Sequence, residues 1–302
     1  MNISLLSRYF YIYLLVFFIH RLSAKTTHNE MVKLKGGKST VGTDAKDGKD
    51  GERPSKVVTV KPFLIDKYPV TNQNFRKFVR EKKFKTDAEK FGWSFAFFSA
   101  VPEKTLSQIK KSVQGAPWWI PVNRAYWRQP QGPGTSVKDK MNYPAVHISY
   151  TDAKEFCKWA GKRLPTEKEW EFAARGGLKE NVYPWGNKFE EKRMNTWQGT
   201  FPQENFKEDN YHWIAPVDAY PPQNDYGMYD MVGNTWEWVS DEFKSPGRGE
   251  KKFVLRGGSY LDSVDGKFNH IARVTTRMGN TADAGSDNIA FRCTKSISKD
   301  EL

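Results

Sequence analysis

Aromatic side chains next to turn-forming residues constrain the fold of this 302-residue chain more than any other feature. Phenylalanine, tyrosine and tryptophan make up 15% of the residues, and many of the 11 tryptophans lie within three residues of glycine, proline or asparagine. Examples are Pro117-Trp118-Trp119, Pro184-Trp185-Gly186-Asn187 and Trp236-Glu237-Trp238. Each aromatic ring buries a large area, so a few of them can fill a core between irregular segments. The pattern predicts a compact fold of long ordered loops.

We expect the helices and strands of this chain to be short. In the N-terminal half we expect two strands within residues 31–43 around a Gly-Gly turn, a strand over 57–65 and a helix over 71–83 capped by Thr71. The charged, glycine-containing stretch at residues 44–56 is expected to be an exposed loop. From Val182 onward the sequence predicts a loop-rich half.

Two amphipathic helices are predicted at the centre of the chain. The first is expected to begin at Thr151-Asp152 and to stop at Gly161. The second opens at Thr166, where Glu169 three residues later completes a capping box, and it ends at Gly176.

The chain length and the charge narrow the class of protein. About 280 residues suit one large domain. The formal net charge is +13, but the basic residues are scattered and no helix-turn-helix or zinc-finger pattern is present, so we expect no nucleic-acid partner. No apolar stretch after the N-terminal one is long enough to span a membrane.

The two ends of the chain predict its compartment. The last four residues, 299–302, form a KDEL tail, which is a retention signal of the endoplasmic reticulum. The apolar run Tyr9–Ile19 fits a signal peptide, with cleavage after Ala24. The sequence therefore predicts a signal peptide at 1–24, a luminal domain at 25–298 and residence in the lumen of the endoplasmic reticulum.

The chain contains two cysteines, Cys157 and Cys293. In an oxidising lumen a pair of cysteines is most simply a disulfide. A reactive thiol pair is the alternative, although neither cysteine has a histidine nearby in the sequence.

A series of sequence blocks follows in a fixed order between Met31 and Cys293. The blocks are residues 152–167, 169–172, 175–177, 183–187, 233–238, 256–260 and 291–293. Together they resemble the formylglycine-generating enzyme (sulfatase-modifying factor) family. The resemblance implies a single α+β domain with little regular secondary structure, related to the C-type lectin-like class.

The resemblance also implies that the catalytic thiols are missing. Active members oxidise a cysteine of newly made sulfatases to formylglycine with two copper(I)-binding cysteines of their own. The first matches Asp262 and the second falls near Gly266-Lys267. A carboxylate is a hard ligand that forms neither a thiolate–copper bond nor a mixed disulfide. We therefore expect no catalytic residues, no copper and no oxidase activity, and the stretches 91–95 and 273–281 point to an inactive branch.

Two kinds of structural site follow from the resemblance. Cys157 and Cys293 match a family disulfide, whereas a second family disulfide is replaced by Ala174 and Val274. Two calcium ions are implied, bound by oxygen donors as calcium requires. Without the resemblance these positions would be interpreted as ordinary turns. The first set is Asn195 and Asp209 with the backbone of Thr196 and Tyr211, and the second is Asp230 and Glu237 with the backbone of Gly233 and Thr235.

Trp236 and Ser259 match residues near the substrate groove of active members. Core packing for Trp236 and a turn hydroxyl for Ser259 are the alternative interpretations. For the inactive branch the resemblance implies a homodimer, a heterodimer with the active enzyme, contact with unfolded sulfatases, and restraint of sulfatase activation. A residual oxidase and a lectin-like luminal binder are the competing hypotheses, although the sugar-binding triplets Glu-Pro-Asn and Gln-Pro-Asp are absent from the sequence.

Overall fold

The structure is a computed structural model that describes residues 28–244, 249–267 and 269–297. The predicted signal peptide at 1–24 and the tail at 299–302 lie outside these residues, so both stay predictions. Within the described ranges, no helix is long and apolar enough to cross a membrane.

The N-terminal strands lie on either side of the Gly-Gly turn, as predicted, but they pair with different partners. Strand β1 (Met31–Leu34) runs antiparallel to β4 (Phe63–Asp66), and β2 (Gly37–Val41) runs antiparallel to β3 (Lys56–Val60). The prediction of one continuous strand from 57 to 65 was wrong. Pro62 follows the end of β3, and proline has no backbone N–H with which to continue a ladder.

The first helix confirms the sequence-based prediction. Helix α1 (Asn72–Lys82) begins after Thr71, whose side chain accepts a hydrogen bond from the backbone of Asn74. It ends at Lys83, which has a left-handed backbone. Two short helices that the sequence did not reveal follow it, α2 (Asp87–Phe91) and α3 (Glu103–Leu106).

The two central helices are present, and the first begins slightly earlier than predicted. Helix α4 (Tyr150–Trp159) is capped by Ser149, which forms a capping box with Asp152. The hydroxyl one residue before the helix therefore satisfies the free backbone donor, not Thr151. Helix α5 (Glu167–Arg175) has the predicted capping box at its start and Gly176 with φ 59° at its end.

The C-terminal half contains more strands than its loop-rich sequence suggested, and the strand pairing confirms an α+β fold. A hairpin of two strands precedes it, and a four-stranded sheet in the order β10-β7-β8-β9 dominates it. Strand β10 lies parallel to β7, whereas β11 joins the edge of β4. The strands are β5 (Trp93–Phe97), β6 (Trp119–Asn123), β7 (Trp236–Phe243), β8 (Lys252–Arg256), β9 (Arg277–Thr281), β10 (Ile289–Phe291) and β11 (Thr294–Ser296), with 3₁₀ turns at Phe98–Ala100 and Glu191–Arg193.

A fully buried ion pair joins these parts. Arg292 and Glu237 are both 0% exposed, and two nitrogens of Arg292 each donate to an oxygen of Glu237 at 2.7 Å. The same guanidinium also donates to the carbonyls of Asp66 at 3.2 Å and Tyr229 at 2.7 Å. The indole of Trp170 donates to Glu237 at 2.8 Å. One charged pair therefore connects β4, α5, β7 and the segment after β10.

The predicted disulfide is also formed. Cys157 on α4 is bonded to Cys293, with a Cα–Cα distance of 5.7 Å, and both residues are fully buried. Ala174 and Val274, at the positions of the other family disulfide, are likewise 0% exposed and belong to one hydrophobic cluster. The prediction that this second pair of positions is ordinary core is confirmed.

We expect the variant C157A/C293A to be less stable than the native chain by about 2–5 kcal/mol, the usual effect of removing a disulfide that closes a long loop. The bond links residues 136 positions apart, so the unfolded chain gains much freedom when it is lost. Urea unfolding at equilibrium measures the difference. Treatment of the native protein with reductant should give the same decrease, whereas a change below about 1 kcal/mol would contradict a structural role.

Candidate functional site

A cavity of about 480 Å³ opens where β5, β6, β9 and the beginning of β7 converge. We call it the aromatic cavity. Its walls combine several aromatic rings with a small number of polar side chains, which is the usual composition of a ligand site in a protein. The aromatic rings are Phe95, Trp118, Trp119, Phe201 and Trp236, and the polar side chains are Asp262, Asn269, His270, Asn280, Thr281, Ser286 and Asn288.

Asp262, at the position of the first family thiol, lies on this wall but is only 3% exposed. Its Oδ2 accepts hydrogen bonds from the backbone N–H of Ser259 at 2.7 Å and from the Ser259 hydroxyl at 2.9 Å. Its Oδ1 accepts one from the backbone N–H of His270 at 3.1 Å. The carboxylate therefore holds two loops together and is not free to react.

His270 completes a charged pair with this carboxylate. Its Nδ1 lies 3.4 Å from Asp262 Oδ1, and its Nε2 lies 3.4 Å from Asp50 Oδ2. Burial opposes a charge on the ring, but the hydrogen bonds to Asp262 and Asp50 outweigh it and raise the pKa of His270 to about 10. The imidazolium stacks edge-on against Trp236, with 5.0 Å between ring centroids. Sequence reasoning missed His270, because no motif joins it to Asp50.

The second thiol position is a tight turn. The hydroxyl of Ser263 accepts a hydrogen bond from the backbone N–H of Gly266 at 3.1 Å and donates to Asp265 at 2.7 Å. Gly266 has φ 56°, and a Cβ added there would lie 2.9 Å from the backbone nitrogen of Ile271. No side chain fits at this glycine without movement of the backbone, so Gly266 itself could not carry a thiol in this conformation.

The two groove residues occupy different places. Trp236 is 1% exposed and forms part of the cavity wall, so it serves both core packing and the cavity. Ser259 is fully buried behind the wall, where its hydroxyl accepts a hydrogen bond from Asn288 at 3.0 Å. Ser259 therefore acts in this structure as a turn hydroxyl that positions Asn288 and Asp262.

The first predicted calcium set is brought together around Asp209. The backbone N–H groups of Thr196 and Tyr211 donate to its two oxygens at 3.1 and 3.0 Å. The amide nitrogen of Asn195 donates to the carbonyl of Trp213 at 2.8 Å, which leaves Asn195 Oδ1 as its oxygen for a cation. No positive side chain pairs with Asp209 among the residues that the structure describes, and burial raises its pKa.

The second predicted set surrounds Asp230 and Glu237. Arg292 balances the charge of Glu237. The Asp230 side chain instead accepts a hydrogen bond from the neutral amide of Asn234 at 2.8 Å. Burial raises the pKa of Asp230 to about 7. Two carboxylates and one guanidinium leave one uncompensated negative charge, which suits a cation.

Asn234 connects the two sets, and sequence reasoning did not single it out. Its backbone N–H donates to the carbonyl of Asn195 at 2.8 Å, and its side chain accepts a hydrogen bond from the Asn195 amide at 3.2 Å. It is fully buried with φ 62°, a left-handed backbone that asparagine tolerates better than most residues. The sequence signal that could have identified Asn234 is its position next to Gly233 in a block that resembles the family.

The donors present fit hard oxygen coordination. Among the described residues no cluster of three or more His, Cys, Asp or Glu side chains could hold a metal ion, but the predicted sets rely on amide and backbone oxygens with only one or two carboxylates. Each set also contains a threonine, Thr196 or Thr235, whose buried hydroxyl has no hydrogen-bond partner within the described part of the chain. Buried polar atoms without partners are costly, so an additional ligand at either place would satisfy a hydroxyl that is otherwise unpaired.

Comparison with known proteins defines the class. Residues 20–297 match the family described as "Sulfatase-modifying factor enzyme 1-like domain". The match covers most of the chain, and the chain therefore belongs to this family. PvdO from Pseudomonas aeruginosa, a solved structure, shares the fold with a TM-score of 0.61 at 24% identity, over 88% of this chain and 94% of its own.

Two relatives narrow the class further. A protein of Bos taurus named "Inactive C-alpha-formylglycine-generating enzyme 2" is 56% identical over 263 residues, which is 87% of each chain. A Mus musculus protein of the same name is 54% identical over 269 residues, 89% of this chain and 86% of the relative. These relatives confirm the prediction that the chain is an inactive member of the family and not an enzyme.

The raised pKa of His270 predicts a pH dependence of stability. The unfolded histidine has a pKa near 6.5 and the folded one about 10, so the contribution is complete below about pH 6.5 and is lost as the pH rises through 10. We expect H270Q to lower the free energy of unfolding at pH 6 by about 1.5–3 kcal/mol, the usual value of hydrogen bonds to a charged group. The deficit should shrink towards pH 10.5.

Urea unfolding across that pH range measures the effect. The matched control is H212Q, because His212 bonds Ser99 and no carboxylate. A deficit of H270Q that stays constant with pH would contradict the charged pair.

Proposed function

We propose that this protein is a catalytically inactive luminal member of the family that binds an unfolded sulfatase segment in the aromatic cavity without oxidising it, and so restrains sulfatase activation. One observation supports the proposal above all others. The cavity keeps an open volume of about 480 Å³, although Asp262 on its wall is held in hydrogen bonds to the protein itself. If the cavity had no function, no constraint would prevent side chains from filling it.

The walls of the cavity suit an extended peptide. Trp118 and Trp119 are partly exposed and offer ring faces to apolar side chains. Asn280, which is partly exposed, offers an amide group to a peptide backbone. The pair of Asp262 and His270 is held by its own hydrogen bonds, so the position that would carry out oxidation presents a rigid polar surface.

The resemblance to the family supports the remaining parts of the proposal. The partners we propose are a second copy of this chain, the active formylglycine-generating enzyme and unfolded sulfatases. The compartment we propose is the lumen of the endoplasmic reticulum, in keeping with the signal and retention sequences at residues 1–24 and 299–302.

The test is a conversion assay with a sulfatase-derived cysteine peptide, copper and a thiol reductant. We expect no formylglycine from this protein alone and slower conversion when it is mixed with the active enzyme. Mass spectrometry measures the product. Formylglycine from this protein alone would overturn the proposal, and so would an unchanged rate in the mixture.

A substitution in the aromatic cavity distinguishes restraint by peptide binding from restraint by contact with the active enzyme. W118A should weaken binding of the peptide about thirtyfold, since truncation of an aromatic anchor costs about 2 kcal/mol. F206A is the matched control, because Phe206 is 58% exposed and does not line the cavity. If W118A restrains conversion as well as the native protein does, the restraint comes from a protein–protein contact and not from the cavity.

For the cofactors we propose two structural calcium ions, one at each set of oxygen donors around Asp209 and Asp230. The uncompensated buried carboxylate of each set supports this assignment. Asp230 stands where active members tend to have asparagine, and the additional charge would strengthen the attraction for the ion.

Chelation of calcium should therefore lower the melting temperature of the purified protein by about 5–10 °C, if free calcium was about a hundredfold above Kd. Calcium added back should restore the transition, whereas magnesium, which demands smaller and more regular sites, should not. D209N should reduce the response to chelator. An identical transition with and without chelator would count against both ions.

A further inference from the structure

A second cavity, far more basic than the aromatic one, lies beside helix α1. It has a volume of about 320 Å³ and is lined by Arg76, Arg80, Arg128 and Lys138, together with Trp127 and neighbouring side chains. We call it the arginine cavity. None of the described aspartate or glutamate residues lines it. Four positive charges thus face one open space of limited size.

None of these charges has an opposite partner in the part of the chain that the structure describes. There, Arg76, Arg80, Arg128 and Lys138 form neither an ion pair nor a hydrogen bond to a carboxylate. Arg76 approaches only the sulfur of Met141, at 3.9 Å. By contrast, the buried Arg256 is paired with Glu171 at 2.7 Å. In the arginine cavity Arg76 is half-buried and the other three residues are exposed, so their charges are open to a ligand from solvent.

The helix itself offers only a partial reason for this arrangement. Arg76 and Arg80 are four residues apart on α1, so they lie on one face about one turn from each other. Like charges at this spacing destabilise a helix. The negative end of the helix dipole favours Arg80 in the last turn, but the effect declines within that turn and does not extend to Arg76.

An aromatic ring orders part of the site. Trp127 is 1% exposed and lines the cavity. The guanidinium of Arg128 lies 4.8 Å from the centroid of that ring, which fixes the cation against the aromatic face. A bound group with several acceptor oxygens could accept hydrogen bonds from the guanidinium and ammonium groups that line the cavity.

A second open space adjoins the first. A cavity of about 590 Å³ shares Arg76, Arg80 and Met141 with it and adds Lys77. Glu81, its one lining carboxylate, accepts a hydrogen bond from the indole of Trp159 at 3.1 Å and lies 4.0 Å from Lys77. The two arginines therefore form a ridge with room for a ligand on both sides.

We propose that the arginine cavity is a binding site for a tetrahedral oxyanion, the sulfate or phosphate group of a small ligand. The guanidinium fork matches the oxygens of such groups with two parallel hydrogen bonds, and Arg76 and Arg80 supply two forks on one helix face. A single carboxylate would leave most of the positive charge unbalanced. The site shares no lining residue with the aromatic cavity, so it does not depend on the function proposed for that cavity.

Isothermal titration calorimetry of the full chain with inorganic sulfate and with inorganic phosphate, at constant ionic strength set with chloride, tests the proposal. We expect saturable binding of at least one anion, with R76Q/R80Q weakening the affinity at least tenfold and R128Q at least threefold. The matched control is K35Q/K38Q, which removes two exposed charges that line neither cavity and should change the affinity less than twofold.

Every outcome of the titration either supports or overturns the proposed oxyanion site. Binding of both anions supports the general oxyanion site, and binding of phosphate alone or sulfate alone supports it and identifies the group. Absence of binding at millimolar concentration overturns the proposal. Equal loss in R76Q/R80Q and K35Q/K38Q also overturns it, because diffuse attraction to a basic surface would then account for the affinity. R128Q keeps the test valid if the double variant fails to fold.

Discussion

The buried pair of Arg292 and Glu237 is the interaction on which the rest of the structure depends. Two charges without exposure to water are expensive to desolvate, and such a pair is tolerated only when further hydrogen bonds satisfy its remaining atoms. Here Trp170 donates to the carboxylate, and the carbonyls of Asp66 and Tyr229 accept from the guanidinium. In proteins generally, removal of one partner of such a pair costs about 3–5 kcal/mol, because the other charge stays buried alone. Segments that are distant in the sequence are thereby held in one arrangement.

The same arrangement also supports the aromatic cavity. Glu237 is neighbour to Trp236 on β7, so the ion pair also fixes the indole that forms the cavity wall. On the wall of the same cavity, the carboxylate of Asp262 accepts hydrogen bonds from Ser259 and pairs with His270. Asp262 is therefore a structural group in this protein. An open cavity with a fixed polar wall is what the peptide-binding function proposed above requires.

Local signals in the sequence predicted local structure well. The capping box at Thr166 and the cap at Thr71 marked helices that the structure contains, because capping depends on residues only a few positions apart. The long segment after Val182 was predicted only as loop-rich. Its four-stranded sheet depends on pairing between segments far apart in sequence, and three of the four strands have only three to five residues, which carry little periodicity. His270 escaped notice for the same reason, since both of its carboxylate partners lie outside any common motif.

The sequence by itself determined the family, the absence of cysteine from residues 262–267, the disulfide between Cys157 and Cys293 and the positions of the main helices, because each of these depends on residue identity or on short spacing. Only the tertiary structure decided that Asp262 is bound within a charged pair and that Asn234 joins the two sets of oxygen donors. It alone brought arginines of α1 and Arg128 around one cavity without a carboxylate. These features are contacts between segments far apart in the chain, and no short pattern encodes which buried charges will find a partner.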